Sequence, residues 1–207
     1  AVSKREDPRD ALVFPQGVNQ LDFTKPIGCS SARRRVQLQQ LFPGCAVKPV
    51  RGNVLTRLNK LDSGEYGALV LAAAGLRRLG EEKRISRLWD TKEILPAACQ
   101  GILAVQAHKE LDPWFLREFH DEDAFIAATA ERSFVKALDG GCSAPIAAYA
   151  TLTGERRSLH LTGLYAEEAG GSLHIASAEG IPAQAEQLGR QLACDIRKTA
   201  AGKGNGK

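Results

Sequence analysis

The stretch VRGNVLTRLNKLDSGEYGALVLAAAGLRRLG, residues 50–80, decides the fold. It follows a short apolar run, CAVKPV (45–50), which reads as a strand. Gly52 supplies a turn, and Asn53 is a residue type that caps helices through its side-chain oxygen. VLTRLNKLDSG (54–64) then places Leu55, Leu58 and Leu61 at helical spacing, which predicts a helix with one apolar face. YGALVLAAA (66–74) has no charge and reads as a buried strand, followed by a short helix in GLRRLG (75–80). Strands and helices alternating at this spacing predict a parallel α/β sheet covered on both sides.

Working outward, PIGC (26–29) reads as another short strand. SSARRRVQLQQLF (30–42) reads as a helix capped by Ser30 or Ser31, with Val36, Leu38, Leu41 and Phe42 as its apolar residues and Pro43-Gly44 as its stop. The character changes near residue 100. GILAVQAH (101–108) reads as a strand, 112–119 as a short helix, and DEDAFIAATAERSFVKAL (121–138) as a longer helix with an acidic start. PIAAYATL, SLHLTGLYAE and SLHIASAEG, joined by TGERR and EAGG turns, form an antiparallel meander. PAQAEQLGRQLACDIRKTAA (182–201) closes with a helix, and the tail KTAAGKGNGK (198–207) is expected to fray. The expected architecture is an α/β lobe to about residue 96, a connecting stretch to about 120, and a small α+β lobe with a three-stranded antiparallel sheet and helices.

Composition narrows the function classes. The chain has 207 residues, 43% of them hydrophobic and 25% charged, as in ordinary globular proteins. No apolar run approaches the roughly 20 residues of a membrane helix. The start, AVSKREDPRD, lacks the apolar centre of a signal peptide, and the chain contains no Met, so it reads like the middle of a fold. Cys29, Cys45, Cys99, Cys142 and Cys194 include no C-x-x-C pair, and the four histidines are scattered. Neither a metal site nor a disulfide framework is expected, and a reducing cytosol is the natural setting. A net charge of +4 and 6% aromatic residues do not suit a nucleic-acid partner, and no membrane partner is expected.

The arginines are more specific. GCSSARRR puts Arg33, Arg34 and Arg35 in the first turn of a helix; VRGNVLTR puts Arg51 after a strand and Arg57 in the next helix; AAAGLRRLG puts Arg77 and Arg78 after a third strand. Any one of them would pass for a solvated surface side chain. Arginine at a helix start opposes the helix dipole, however, so helix stability does not explain it. In parallel α/β sheets such turns lie where ligands bind. Three in succession point to an anion with several carboxylates or phosphates. A second singular feature is ALDGGCSAP (137–145), where Cys142 follows two glycines. By itself this could be no more than a turn holding a small apolar residue.

Taken together, GCSSARRRVQLQ, the 50–80 stretch, LPAACQG, AERSF, LDGGCSAPIAAYA and KREDPRDALV near the start resemble the porphobilinogen deaminase (hydroxymethylbilane synthase) family, in order and spacing, over nearly the whole chain. The resemblance implies a transferase of tetrapyrrole and haem biosynthesis. It joins four porphobilinogen units onto a covalently bound dipyrromethane, with release of ammonia and then of hydroxymethylbilane. It implies that Cys142 carries the dipyrromethane through a thioether. Arg33, Arg34, Arg51, Arg57 and Arg78 match the family's cofactor- and substrate-binding arginines, and Ser30 and Ser31 fall beside them. Arg35 and Arg77 read as flanking charge. The implied lobe 7–96 is the family's second domain, similar in fold to periplasmic binding proteins. Residues 1–6 would be a hinge and remnant of the first domain, 97–120 its returning segment, and 121–207 the third domain.

The family's catalytic aspartate has no counterpart here. Asp7 and Asp10 sit in the hinge-like stretch as poor substitutes, so no catalytic residue and no metal ligand is assigned. The chain reads as the carboxyl-terminal two-thirds of the enzyme and is expected to be inactive alone. The whole enzyme is expected to be a monomer in the cytoplasm, with a plastid location left open. Other departures are Cys29 where threonine is usual, Arg35 where glutamine is frequent, ACQG for GQG, and VQAH where an acid is common. Cys29 and Cys99 are expected to be packing residues rather than competing nucleophiles. The alternative reading is a two-lobed anion-binding protein without catalysis.

Overall fold

The computed structural model describes residues 1–108, 110, 114–140, 144–167 and 172–203. Two sheets organise the chain. The first has five strands in the order β3-β2-β4-β1-β5: β1 (Asp10–Val13), β2 (Ile27–Gly28), β3 (Val47–Lys48), β4 (Ala68–Ala72) and β5 (Arg87–Leu88). The expected parallel set is present, with β2 parallel to both β3 and β4. The strands are followed in turn by α1 (Ala32–Leu41), α2 (Val54–Asp62) and α3 (Ala73–Arg78). Alternate residues of β1 and β4 point to opposite faces, as strand geometry requires. Ala11, Val13, Leu69 and Leu71 pack with Leu58, Leu61 and Leu76, while Leu12, Ala68 and Val70 pack with Leu38, Trp89 and Ile94.

The sheet is mixed rather than wholly parallel. β1 runs antiparallel to β4, with Asp10 opposite Ala72 and Val13 opposite Leu69, and β5 runs antiparallel to β1. Sequence reading gave 10–13 no strand. Only four residues carry it, and their neighbours on both sides are charged or turn-forming. Two expected apolar positions are partly open: Leu41 and Leu55 are 38% and 48% exposed. In α1 the inward stripe is instead polar, with Arg33 and Gln37 buried beside Leu38.

Residues 101–108 form no regular strand; a single antiparallel bridge joins Ala104 to Val2. Around it, Ser3 N–H donates to Leu103 O (2.8 Å) and Glu6 N–H to Gly101 O (3.0 Å), so the start of the chain lies along this segment. Gly101 has φ +90°, and a Cβ there would strike the Glu6 carbonyl.

The second lobe matches expectation. β6 (Ile146–Thr153), β7 (Ser158–Ala166) and β8 (Leu173–Gly180) form the antiparallel meander. α5 (Glu122–Ala137) and α6 (Ala185–Lys203) back it, around Phe134, Leu159, Leu161, Leu192 and Ile196. α4 (Trp114–Phe119) precedes them. Asp121 caps α5 by accepting from Ala124 N–H at 2.7 Å. Gly163 lies directly under the Phe134 ring, where no Cβ fits. The expected fraying from 198 does not occur in 198–203, because α6 continues through Lys203. The other face of the meander meets the first lobe, where Ala147 and Leu164 pack with Leu95 and with Val36 of α1.

Candidate functional site: an arginine rim

Because β2, β3 and β4 are parallel, the turns that follow them share one edge of the sheet. Ser30 ties two of these turns together: its hydroxyl donates to Val50 O (2.6 Å) and accepts from Val50 N–H (3.0 Å). Ser31 caps α1, accepting from Arg34 N–H at 3.4 Å. Both hydroxyls therefore brace the rim.

Asp10, which the sequence suggested only as a poor substitute for a catalytic acid, organises the centre as a counter-ion. An antiparallel strand begins where its parallel neighbours end, so the first residue of β1 arrives at the rim opposite the last residue of β4. The Asp10 carboxylate is wholly buried and accepts from four groups. Arg33 Nη1 meets Oδ2, while Arg34 Nε (3.0 Å), Arg34 Nη2 (2.7 Å) and Gln100 Nε2 (2.9 Å) meet Oδ1. Burial would push this acid up, but the guanidinium charges of Arg34 and Arg33 outweigh it and hold Asp10 below the ordinary aspartate value.

Arg33 and Arg34 differ in situation. Arg33 is 97% buried and also donates to Leu95 O (3.0 Å) and to Gln100 Oε1 (3.1 Å). Gln37 completes this floor, donating to Leu95 O and accepting from Leu95 N–H at 2.7 Å. The Arg34 side chain retains 12% exposure and donates to Val70 O at 3.2 Å. Two guanidiniums thus share one carboxylate, and among the described residues no second acid reaches either. The buried Nε of Arg33 has no partner among them.

Arg51 and Arg57 occupy the adjoining turn, Arg51 exposed and Arg57 Nε donating to Gly52 O at 2.7 Å. Arg78 is exposed at the far end of α3, about 9 Å along the helix axis from the strand end. Among the described residues no carboxylate pairs with Arg51, Arg57 or Arg78. Arg77 behaves as flanking charge: it pairs with Glu6 (3.2 Å) and Asp7 (3.0 Å). Arg35 carries no ion pair among the described residues. The arrangement suits an anion with several carboxylates. The two acids beside it, Asp7 and Asp10, are not set up as general acids. The hydrogen bond from Arg9 keeps the Asp7 carboxyl low as Arg34 and Arg33 keep Asp10 low, so both are ionised at neutral pH.

Cys142 lies outside the described residues. Its flanks are described: Gly140 N–H donates to Val135 O at 3.0 Å, closing α5, and β6 begins at Ile146. Two of the other thiols, Cys29 and Cys99, sit in surroundings that disfavour the thiolate. Burial pushes the Cys29 thiol up and the Cys99 thiol to about 11. Among the described residues no cluster of His, Cys, Asp and Glu is placed to hold a metal. Among the described residues no helix is long and apolar enough to cross a membrane.

Comparison with known proteins decides the family. Residues 1–113 match the family model described as "Porphobilinogen deaminase, dipyromethane cofactor binding domain". Residues 125–198 match "Porphobilinogen deaminase, C-terminal domain". The chain belongs to the porphobilinogen deaminase family. Its relatives include the porphobilinogen deaminases of Acetivibrio thermocellus (56% identical, covering 97% of this chain and 68% of the relative) and Alkaliphilus oremlandii (55%, 95% and 66%). That of Chromobacterium violaceum is 44% identical over 93% of this chain and 63% of its own length. The chain thus spans about two thirds of the length of those relatives. Its rim lies wholly within the cofactor-binding match. The signal in the sequence that could have found this role of Asp10 was the arginine surplus itself, since Arg33 and Arg34 cannot both be buried without an internal counter-ion.

Proposed function

We propose that this chain supplies the anion-gripping rim and the cofactor-bearing lobe of a hydroxymethylbilane synthase. In this reading porphobilinogen units are joined on a tethered dipyrromethane, with loss of ammonia and then release of the linear tetrapyrrole. One observation carries the reading. Arg33 and Arg34 outnumber their carboxylate at the strand ends, with Arg51, Arg57 and Arg78 left without acidic partners among the described residues. Each pyrrole brings an acetate and a propionate, so a growing oligopyrrole supplies the negative charge the rim lacks. The residues fit the cofactor on the same ground.

A dipyrromethane joined to the Cys142 sulfur would supply the free pyrrole position at which the chain is extended. The protein's part is binding and placement. Arg34, Arg51, Arg57 and Arg78 are the donors for carboxylates, and Ser30 and Ser31 hold their turns in register. Packing of Val36 of α1 against the cluster of Leu95, Ala147 of β6 and Leu164 sets the strand that follows the Cys142 loop beside the helix that carries Arg33 and Arg34. Tethering keeps intermediates beside the donors and removes the entropic cost of rebinding each one.

In domain terms, 7–96 forms the second domain, 121–207 the third, and 1–6 with 97–120 a piece of the first. Leu103 and Val105, 45% and 37% exposed beside the Val2–Ala104 bridge, support the last assignment, since first-domain residues outside this chain would cover them. The acid that drives ammonia loss would come from the same source, so the isolated chain is expected to lack deaminase turnover. The proposed setting is the cytoplasm, and the complete enzyme is read as a monomer. The test is intact mass of protein made in a haem-synthesising host, co-expressed with the amino-terminal third of a relative. The expected result is an excess equal to one dipyrromethane, lost in Cys142→Ser. An unmodified wild-type chain under those conditions would overturn the reading.

A further inference from the structure

The family resemblance alone would make Arg33 and Arg34 two equivalent ligand-binding arginines. Their surroundings contradict that equivalence. Arg33 commits three donors to Asp10, Leu95 O and Gln100, and its remaining donors, the orphaned Nε–H among them, are shut inside a side chain only 4% exposed, against 12% for Arg34. A guanidinium has five N–H donors. Arg34 uses three of them, two on Asp10 Oδ1 and one on Val70 O, which leaves two without a partner among the described residues. Those two sit on a side chain whose orientation is fixed from behind by a buried carboxylate.

We infer that Asp10 is a positioning residue that divides the arginine pair, locking Arg33 as a buried strut and aiming the two spare donors of Arg34 at a ligand carboxylate. Gln100 is the second part of the device. Its amide donates to Asp10 Oδ1 (2.9 Å) and Pro8 O (2.6 Å) and accepts from Arg33, so it holds Asp10 and Arg33 at once. Gln100 belongs to the 97–101 turn, next to Cys99, whose N–H is held by Glu131 of α5 at 2.6 Å. The orientation of Arg34 is therefore linked to the joint between the lobes. A guanidinium fixed before the ligand arrives loses little side-chain freedom on binding, which is the benefit of such a support.

The inference rests on the anion-binding reading of the rim but not on the pyrrole. The test uses the 207-residue chain carrying 15N-labelled arginine, with inorganic phosphate as the probe. In wild type, the Arg34 Nε–H should be protected from solvent exchange, and phosphate should shift the Arg34 signals while leaving those of Arg33 in place. Asp10→Asn should lower Arg34 protection and phosphate affinity by about tenfold, the loss of a charge-assisted pair. Gln100→Ala keeps both ion pairs and should lower affinity by about two- to threefold, with a shift of the Arg34 signal that a purely structural role would not produce. If Asp10→Asn does not fold, the wild-type titration and Gln100→Ala decide the matter. Equal phosphate shifts at Arg33 and Arg34, or a Gln100→Ala chain with wild-type affinity and an unmoved Arg34 signal, would overturn the division. Porphobilinogen binding no tighter than phosphate would instead sink the pyrrole reading and leave this one standing.

Discussion

Two buried acids, Asp10 in the first lobe and Glu131 in the second, solve similar problems in different ways. Glu131 is wholly buried on α5. It accepts from Arg5 Nη2 (2.7 Å), Cys99 N–H (2.6 Å) and Ala150 N–H (2.7 Å). One guanidinium meets one carboxylate there and the other donors to that carboxylate are backbone, so the charge balances internally, although Arg5 Nη1 has no partner among the described residues. It joins residue 5, the 97–101 turn, α5 and β6 at a single point. Asp10 meets two guanidiniums and leaves one positive charge over, beside exposed arginines. The difference separates a structural joint from a binding site. Buried charge that balances internally holds segments together, and buried charge that does not balance has use for a ligand.

The sharpest way to break that comparison is to remove the joint. Glu131→Ala leaves the Arg5 guanidinium and two backbone N–H groups without their partner around a fully buried position. Breaking a buried pair in this way costs about 3–5 kcal/mol. The variant should unfold at a clearly lower urea concentration than wild type, and the amides of Cys99 and Ala150 should lose hydrogen-exchange protection. A loss below about 1 kcal/mol would mean that the three segments are held elsewhere.

The same comparison shows what was readable in the residues. The helix and strand pattern of 26–80 was legible because Leu58, Leu61 and the run 68–72 carry unambiguous periods, and parallel neighbours then force Arg33, Arg34, Arg51 and Arg57 onto one edge. The meander and its two helices were legible for the same reason. β1 was not, because four residues between a charged stretch and a Pro-Gln-Gly turn have too little pattern to stand out. Missing β1 meant missing the counter-ion role of Asp10, since only an antiparallel strand places its first residue at that rim. Gln37 and Gln100 escaped notice because a neutral amide gives no signal until its partners are known. The strand expected at 101–108 failed in the opposite way. Its apolar residues suit a sheet, but among the described residues only the first residues of the chain lie along it, through one isolated bridge at Val2 and a few backbone hydrogen bonds.

Acid titration should sharpen the contrast, because the two carboxyls are displaced in opposite directions. Arg34 and Arg33 overcome burial and hold Asp10 below its reference value of 3.8, so between those two pH values the unfolded chain binds more protons. The stability Asp10 contributes is present above about pH 4 and is lost as pH falls through its folded value. For Glu131, burial outweighs Arg5 and the two N–H groups and raises the carboxyl above 4.5. There the folded chain binds more protons, so stability declines as pH rises from 4.5 through the folded value. Each effect has a limiting slope of about 1.4 kcal/mol per pH unit for one proton. Urea midpoints measured from pH 2.5 to 7 should show Asp10→Asn flattening the acid limb and Glu131→Gln flattening the limb above 4.5. If both variants flattened the same limb, the contrast between the two acids would fail.

The smallest test compares the two lobes at their helix starts. Asn53 caps α2 beside the rim, accepting from Thr56 N–H at 2.8 Å, and Asp121 caps α5 away from it, accepting from Ala124 N–H at 2.7 Å. Replacing either by Ala should cost about 1 kcal/mol, since each removes the partner of an otherwise orphaned N–H. Only Asn53→Ala should also weaken phosphate binding, because it loosens the turn that carries Arg51 and Arg57, whereas Asp121→Ala should leave binding unchanged at equal loss of stability. Stability alone cannot produce that split, so the pair isolates what the rim turn does for the ligand from what a cap does for the fold. Equal loss of phosphate affinity in both variants would place the binding determinant in the global fold and remove the Arg51–Arg57 turn from the site.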